Sequence, residues 1–332
     1  MAASVAATLL LVPAPALAAT PAAAWSAPGL SSASFSVDGA LVLLTGNSSS
    51  GGRLEIRTAG SGALVRSLSA QYKFNAAALS ADKQIVAVTL NDTSSGLPVR
   101  VIRLYRVADG ALLRAVPTAA ARDLTSLDLS PDGQTVAAMD ARSYEQGGRV
   151  HVHRVADGAR VALLTTDGTT AAVRFSPDGR YLAANGRRVV DGRFVSGARV
   201  FRTADWSAAS TAGDGTLLVR WAPDSTAIWT VTLVAAAPTT AHLVAVPGGT
   251  VLRTVTLAPY DTVSDVTDDG TLVLTGRLVA PRRTLTFTGT ATTTYDFPSD
   301  VFAGDISPDG TLFTYAQTTA PSAFDVHVAR TP

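Results

Sequence analysis

Aspartate is the residue type that offers this chain a possible chemistry, because it recurs at regular places along the sequence. Asp128, Asp265 and Asp305 each begin a run that has an oxygen-bearing side chain at its third and fifth positions and glycine at its sixth. This order resembles the start of a calcium-binding loop, whose twelfth residue is a glutamate. The residues at the twelfth position here are Met139, Gly276 and Ala316. Without that glutamate, we expect no calcium site at any of the three runs.

Histidine is the other candidate metal ligand. His151 and His153 alternate along one predicted strand and therefore share a face of it. A zinc site needs three or four protein ligands, and the remaining histidines, His242 and His327, lie far away in the sequence. The chain has no cysteine, which excludes disulfides, thiol nucleophiles, cysteine-ligated metals and a lipoprotein anchor. It also lacks a nucleophile elbow, a phosphate-binding loop and a zinc-protease motif, so we expect no cofactor, no metal and no catalytic residues.

The repeated aspartates fit a hairpin turn better than a binding site. Ser130–Gly133, Ser176–Gly179 and Ser307–Gly310 all read Ser-Pro-Asp-Gly, and an apolar residue precedes each of them. This order matches the preferences of a type I turn whose last residue is left-handed. Degenerate copies begin at Ser36, Ser80, Ala222 and Thr267, and the seven turn aspartates are Asp38, Asp82, Asp132, Asp178, Asp224, Asp269 and Asp309. We expect these aspartates to be structural, because they accept hydrogen bonds from the backbone nearby.

The spacing of the turns predicts the architecture. Successive copies are 40 to 50 residues apart, a period typical of β-propeller blades. We therefore expect an all-β, seven-bladed β-propeller with four antiparallel strands in each blade. In the third blade the predicted strands are Leu124–Leu129, Thr135–Met139, Arg149–Val155 and Arg160–Thr165. Only two more strands follow the last turn, so we expect residues 22–27 to complete blade seven and close the ring.

One turn departs from the pattern in a way that predicts local irregularity. Lys83 stands at the position where Ser-Pro-Asp-Gly has its glycine. A side chain in the left-handed conformation costs about 1 kcal/mol relative to glycine. We therefore expect the hairpin of blade two to be the least regular of the seven.

Two segments carry a resemblance to a known family. Ile102–Arg114 and Val150–Gly158 resemble the third-strand, turn and fourth-strand run of WD-repeat propellers. The Ser-Pro-Asp-Gly turn is similar to that of the propeller of TolB-type periplasmic proteins. This resemblance covers residues 20–332 and bears on the fold. The Trp-Asp dipeptide of WD repeats is absent, and Tyr105-Arg106, His153-Arg154 and Phe201-Arg202 occupy its place. We therefore expect apolar packing to carry more of the stability than in that family.

Composition limits the partners of the protein. The 332 residues are 47% hydrophobic and 16% charged, with a net charge of +1. Nucleic-acid-binding domains carry a clustered basic excess, so we expect no nucleic-acid partner. Arginine and alanine are abundant while Lys73 and Lys83 are the only lysines, a bias that indicates a GC-rich bacterial gene.

The first residues predict export. Residues 1–19 are small and apolar, although no basic residue precedes Arg53, and Ala16-Leu17-Ala18 fits the small-x-small rule for cleavage before Ala19. We therefore assign residues 1–19 to a signal peptide and residues 20–332 to a single propeller domain. The apolar run is too short for a membrane anchor. We expect an exported monomer without a membrane span, secreted or associated with the cell envelope.

The candidate binding residues lie in loops that do not repeat. In the family geometry, the connections between second and third strands share one face with those between blades, and we call this the upper face. The candidate partner-binding residues on it are Arg142, Tyr144, Glu145, Arg187, Arg188, Asp191, Arg193 and Phe194. Arginine and aromatic side chains on adjacent loops are typical of an interaction surface, although solvated loops are the simpler interpretation. We predict a non-catalytic module that binds a protein, peptide or glycan.

Two alternatives stay open at this point. In the first, the propeller is a hydrolase or lyase with a site in its central channel. In the second, it is a structural or sensor module of a larger assembly. A convergent cluster of His, Asp, Glu or Arg in a deep channel pocket favours the enzyme, whereas scattered polar residues favour binding.

Overall fold

The structure of the protein is a computed structural model that describes residues 16–18, 20–94, 98–120, 122–140, 148–166, 169–190, 193–214, 216–232, 238–259, 261–267, 270–277, 280–320 and 323–332. In these ranges the backbone forms seven sheets arranged as the blades of a β-propeller, each with four antiparallel strands, and one of them has a further strand added at its edge. The predicted fold class is therefore confirmed. No helix in this part of the chain is long and apolar enough to cross a membrane.

The strands follow one another from the channel to the rim of each blade. Two strands precede blade one, namely β1 (Ala16–Ala18) and β2 (Ala23–Pro28). Blade one contains β3 (Ser32–Phe35), β4 (Leu41–Ser48), β5 (Gly51–Thr58) and β6 (Leu64–Ala70). Blade two contains β7 (Phe74–Leu79), β8 (Ile85–Asp92), β9 (Val99–Arg106) and β10 (Leu112–Thr118). Blade three contains β11 (Leu124–Leu129), β12 (Thr135–Asp140), β13 (Gly148–Arg154) and β14 (Arg160–Thr166), within one residue of the predicted bounds.

The remaining blades repeat this order. Blade four contains β15 (Thr169–Phe175), β16 (Tyr181–Val190), β17 (Arg193–Arg202) and β18 (Ala208–Asp214). Blade five contains β19 (Thr216–Trp221), β20 (Ala227–Thr232), β21 (Pro238–Ala245) and β22 (Val251–Pro259). Blade six contains β23 (Asp261–Val266), β24 (Val273–Arg277), β25 (Thr284–Thr288) and β26 (Thr292–Asp296). Blade seven contains β27 (Val301–Ile306), β28 (Leu312–Ala320) and β29 (Ala323–Arg330), completed by β2.

The hydrophobic core lies between the blades. In β12 the run from Val136 to Met139 is fully buried, because both faces of a second strand pack against neighbouring blades. Such a strand reads as a continuous apolar run rather than an alternating one. Leu54, Phe74 and Val88 illustrate the packing, since they bring blades one and two into a single cluster.

The Ser-Pro-Asp-Gly turns have the geometry that their composition predicts. In blade three the amide of Gly133 donates to the carbonyl of Ser130 over 2.8 Å. The hydroxyl of Ser130 and the amide of Gln134 both donate to Asp132 Oδ1, over 2.5 and 3.0 Å. Gly133 has a φ of 67°, which L-residues rarely adopt. The assignment to turn chemistry is confirmed for the six turn aspartates that the structure describes, whereas Asp269 lies outside the described residues.

The expectation that blade two has the least regular hairpin is wrong. The amide of Lys83 donates to the carbonyl of Ser80 over 2.8 Å, as the residue at the same position does in the other six turns. Lys83 adopts a φ of 61°, and Ser225 of blade five adopts 62°. The hydroxyl of Ser80 donates to Asp82 as usual. These bonds and the paired strands on either side hold the turn in place. Lys83 therefore stays in the left-handed conformation in spite of its backbone strain.

An N-terminal strand closes the ring, as predicted. β2 pairs antiparallel with β29, in a register that joins Trp25 to Val328 and Ala27 to Val326. The indole nitrogen of Trp25 donates to the carbonyl of Ala59 over 2.7 Å, which ties this strand to blade one. Leu30, just beyond β2, is fully buried.

The segment before β2 also contacts the ring. β1 lies parallel to β26, the outermost strand of blade six, and adds a fifth strand to that sheet. It contains the alanines of the predicted cleavage site. The division into a signal peptide and a propeller domain stays a prediction.

The left-handed turn glycine gives a test of the hairpin chemistry. A Cβ added at Gly133 would meet no atom within 4 Å, so Gly133→Ala should cost only backbone strain, about 1 kcal/mol. Gly60→Ala is the matched control, because its Cβ also meets no atom and its φ is not positive. Urea unfolding should show a loss for the first variant alone, and equal effects of the two would contradict the assignment.

The closing strand gives a second test. Deletion of residues 20–30 removes β2 and the buried Leu30, and it exposes the edge of β29. We expect a sharp fall in melting temperature relative to a control chain that begins at Thr20. An unchanged melting temperature would show that the ring does not need this strand.

Candidate functional site in the central channel

One repeat position brings charged residues together in the channel. The residue directly before the apolar residue of each turn lines a cavity on the ring axis, and these residues are Ser34, Ala78, Asp128, Arg174, Arg220, Asp265 and Asp305. Each of these residues lies on the innermost strand of its blade, so the set has one residue from each of the seven blades. Innermost strands of a propeller face one another across the axis, so a shared repeat position becomes a ring of side chains.

The three aspartates of this ring hold neighbouring blades together. Asp128 Oδ2 accepts the amide of Phe175 from blade four over 2.7 Å. Asp265 Oδ2 accepts the amide of Ile306 from blade seven over 2.7 Å. Asp305 Oδ2 accepts the amide of Phe35 from blade one over 2.8 Å.

These three bonds form the same contact at three interfaces. In each, a carboxylate accepts the amide of the apolar residue that precedes the next blade's turn. We call this contact the inter-blade clasp. The clasp gives a structural role to the three aspartates whose runs resemble the start of a calcium loop.

A buried ion pair network links blades five, six and seven. Arg220 Nη2 donates to Asp265 Oδ2 over 2.7 Å, to Asp305 Oδ1 over 3.0 Å and to the carbonyl of Ile306 over 2.9 Å. The side chains of Arg220 and Asp265 are only 18% and 5% exposed. One arginine therefore joins three consecutive blades through two carboxylates.

The two carboxylates of this network have pKa shifts in opposite directions. Burial raises the pKa of Asp265 well above its usual range, and the neighbouring charge of Asp305 adds to this. Burial alone would raise the pKa of Asp305 as well, but the hydrogen bond from Asp265 and the charge of Arg220 outweigh it and lower that pKa. These two shifts favour a single proton on Asp265, directed at Asp305, and we call this arrangement the shared proton.

The cavity opens on the face that carries the Ser-Pro-Asp-Gly turns, which we call the turn face. It has a volume of about 580 Å³. Its rim is formed by the second residue of six turns, namely Val37, Ala81, Pro131, Pro177, Pro223 and Pro308. An apolar collar thus surrounds a charged floor.

The lining limits the chemistry of this cavity. It contains no histidine, lysine, glutamate or tyrosine among the described residues. The carboxylates of Asp265 and Asp305 accept backbone amides and the guanidinium of Arg220, and burial raises the pKa of Asp128, opposed by the charge of Arg174 and two backbone amides. The cluster is convergent, but its aspartates are already engaged in holding the blades.

Four of the eight predicted partner-binding residues lie on described strands of blade four and do not line this cavity. Arg142, Tyr144, Glu145 and Asp191 lie outside the described residues. Arg187 and Arg188 lie on β16, and Arg193 and Phe194 lie on β17. The segment read as a loop from residue 185 to residue 197 is therefore mostly paired backbone.

Strand pairing brings four of the predicted residues together. In the register of β16 and β17, Val189 pairs with Phe194 and Val190 with Arg193. Both strands are ten residues long, against six and seven for the equivalent β12 and β13. Blade four therefore extends an antiparallel arm at the upper face, and we call it the blade-four arm.

The histidines of blade three are part of its interior. His151 Nε2 lies 3.3 Å from Asp140 Oδ2, and His153 Nδ1 lies 3.0 Å from the carbonyl of Gly158. Both side chains are buried. Among the residues that the structure describes, no three His, Cys, Asp or Glu side chains lie together as a metal site would require.

Arg174 and Arg220 are the channel residues that the sequence analysis missed. The signal that could have found them is positional, because five of the seven residues directly before the turns' apolar residues are charged. Apolar and polar positions in an inner strand are distinguishable only once the repeat is aligned blade by blade.

The shared proton gives a test of the network. A raised pKa means that the contribution of Asp265 to stability is full below the pKa of the unfolded side chain and is lost as the pH rises through the folded pKa. Asparagine keeps an acceptor and a donor toward Asp305 but does not titrate. As the pH rises from about 5 to about 8, the wild type should therefore lose free energy of unfolding that Asp265→Asn does not lose. Urea unfolding at the two pH values measures this difference.

The control for this test is Asp309→Asn in the last turn. Hydrogen bonds from Ser307 and Thr311 lower the pKa of Asp309, so its carboxylate is ionised in both states over that range. The difference in free energy of unfolding between Asp309→Asn and the wild type should therefore be the same at the two pH values. A constant difference for Asp265→Asn would contradict the shared proton.

Comparisons with known proteins support the fold and no more. No family model and no curated protein matches the sequence. A chain of Kuenenia stuttgartiensis hydrazine synthase is similar in structure, with a TM-score of 0.66 and 15% identity over 97% of this chain and 99% of that chain. The Swd1 β-propeller domain of Myceliophteria thermophila has a TM-score of 0.66 and 11% identity over 94% and 100%. A chain of a mitotic checkpoint complex has a TM-score of 0.68 and 16% identity over 100% and 97%.

Proposed function

We propose that this protein is a non-catalytic binding or scaffold module that captures a protein, peptide or glycan at its upper face. The observation that carries the proposal is the engagement of the channel carboxylates. A general acid or base must be able to exchange its proton with a substrate, whereas Asp265 and Asp305 face each other, Arg220 and two backbone amides. Because these carboxylates hold the blades together, we place the proposed recognition of a partner on the surface of the ring.

The blade-four arm is the part of the upper face best suited to that task. Its two ten-residue strands are paired to within two residues of the arm's tip, with Val190 opposite Arg193. A paired arm loses less conformational freedom on binding than an open loop does. Pairing also brings arginine and phenylalanine, two residue types that anchor interfaces, onto one short ladder.

The similar structures support a binding role in a coarse way. The mitotic checkpoint complex is an assembly by its name, and a propeller of the same shape forms part of it. Hydrazine synthase is named as an enzyme, so the fold alone does not separate the two classes. The proposal adds export, which the apolar residues 1–19 support, and the absence of a nucleic-acid partner, which the net charge of +1 supports. It also includes a monomeric state.

The enzyme is the second candidate, and one observation favours it. Asp265 and Asp305 form a carboxyl pair with opposite pKa shifts, which is an arrangement found in acid–base catalysis. A hydrolase or lyase of this kind would act in the channel. Asp265→Asn would then abolish an activity, whereas the binding proposal expects it to change only stability.

The arm gives the test of the proposed function. Replacement of Arg187, Arg188 and Arg193 by alanine removes the cationic part of the arm and leaves its strand pairing available. We expect the triple variant to keep its melting temperature and to capture at least about tenfold less of a partner from the source's culture medium or cell-wall fraction.

A matched control removes the same charge from the other face. Arg106, Arg154 and Arg202 are exposed at the ends of third strands, next to the turn that leads into each fourth strand. Alanine at these three positions should leave capture unchanged. Capture by the arm variant at the level of the wild type would contradict the proposal.

A further inference from the structure

We infer that the mouth of the channel on the turn face is a second binding site, and that Arg174 there recognises a carboxylate carried on an apolar body. This site lies on the opposite face from the blade-four arm and does not depend on the proposed function. The inference rests on the open donors of Arg174, on the rigid support of its backbone and on the apolar collar above it.

Arg174 differs from the other charged residues of the channel because its guanidinium is open. The side chain is exposed and lines the cavity. Its one hydrogen bond in the described part of the chain runs from Nη1 to the carbonyl of the adjacent Val173 over 3.0 Å. A guanidinium has five N–H donors in a planar fork that matches a carboxylate. Most of these donors therefore face the cavity without a protein acceptor among the described residues.

The backbone that carries Arg174 is held from both neighbouring blades. From blade three, Ser126 Oγ accepts the amide of Val173 over 3.0 Å and Asp128 Oδ2 accepts the amide of Phe175 over 2.7 Å. From blade five, the indole nitrogen of Trp221 donates to the carbonyl of Arg174 itself over 3.1 Å. The base of the side chain is thus fixed before any ligand arrives, which lowers the entropic cost of binding.

The volume and lining above Arg174 fit a small apolar body. About 580 Å³ lies within the range of small-molecule sites. Phe35, Leu79 and Trp221 form part of the wall, and Pro131 and Pro177 flank the mouth near Arg174. These side chains can cover apolar groups but offer no further cation.

The charges of the floor favour a single negative charge on the ligand. Asp128, Asp265 and Asp305 also line the floor, and Arg220 is already bonded to Asp265 and Asp305, so Arg174 is left to meet one carboxylate of a ligand. The carboxylates are covered by backbone amides and by Arg220, so an incoming group meets the open guanidinium first. A dianion such as a phosphate would meet the repulsion of Asp128 and Asp305 as well.

Titration calorimetry on the full chain tests the site with two carboxylates of different origin. One is hexanoate, a free acid, with hexanamide as its neutral counterpart. The other is the N-acetylated tetrapeptide Ala-Ala-Val-Leu with a free C-terminal carboxylate, with its C-terminal amide as counterpart. We expect saturable binding of at least one acid, weakened at least about tenfold in its amide. Which acid binds distinguishes a small metabolite from a chain terminus.

Arg174→Gln is the decisive variant, and Arg180→Gln is its matched control. Arg180 belongs to the same blade and face, but it is paired with Asp178 and does not line the cavity. We expect Arg174→Gln to weaken binding of the acid at least about tenfold, Arg174→Lys to retain part of it and Arg180→Gln to match the wild type. Unchanged binding in Arg174→Gln, equal binding of an amide, or no saturable binding of either acid would overturn the inference.

Discussion

Every blade of this ring has two faces, and in the described chain each face is covered by a neighbouring blade. The structure therefore depends on contacts between blades that must form all the way round. Apolar burial provides the larger share of the stabilisation but has no direction. Directed hydrogen bonds set the position of one blade against the next, and the inter-blade clasp does so at three interfaces with the same residue type. Elsewhere other groups take this role, as where Asn47 of blade one exchanges two bonds of 2.8 Å with the backbone of Phe74.

The clasp places carboxylates where charge is costly to bury. At Asp128 the two oxygens accept backbone amides, and burial still raises the pKa of the group. At Asp265 and Asp305 the cost is reduced by the hydrogen bonds from Arg220, and the opposite pKa shifts of the two carboxylates favour one proton between them. Removing one member of such a network leaves the others buried without a partner, which is why it acts as a unit. A charged channel in a propeller is thus compatible with a purely structural origin.

The two faces of the ring offer different kinds of surface. The turn face is repetitive, because the same four-residue turn builds it seven times. Its distinctive feature is the cavity on the ring axis, to which the turns contribute together. Towards the upper face, the second and third strands of blade four are ten residues long each, against six and seven for those of blade three. The cavity therefore lies on one side of the ring and the arm on the other.

The number of blades, the four strands of each, the turn chemistry and the closing strand could all be predicted from the order of the amino acids. Each of these follows from local preferences that repeat every 40 to 50 residues or from the edge that an incomplete blade would leave. The sequence also predicted eight binding residues, of which the structure places four on paired strands and leaves the rest outside its described part. What only the tertiary structure decided is the channel. Asp128 and Phe175, or Arg220 and Asp305, are 47 and 85 residues apart, and nothing local indicates that they meet. The regular hairpin at Lys83 was decided in the same way, because strand pairing outweighed a cost of about 1 kcal/mol.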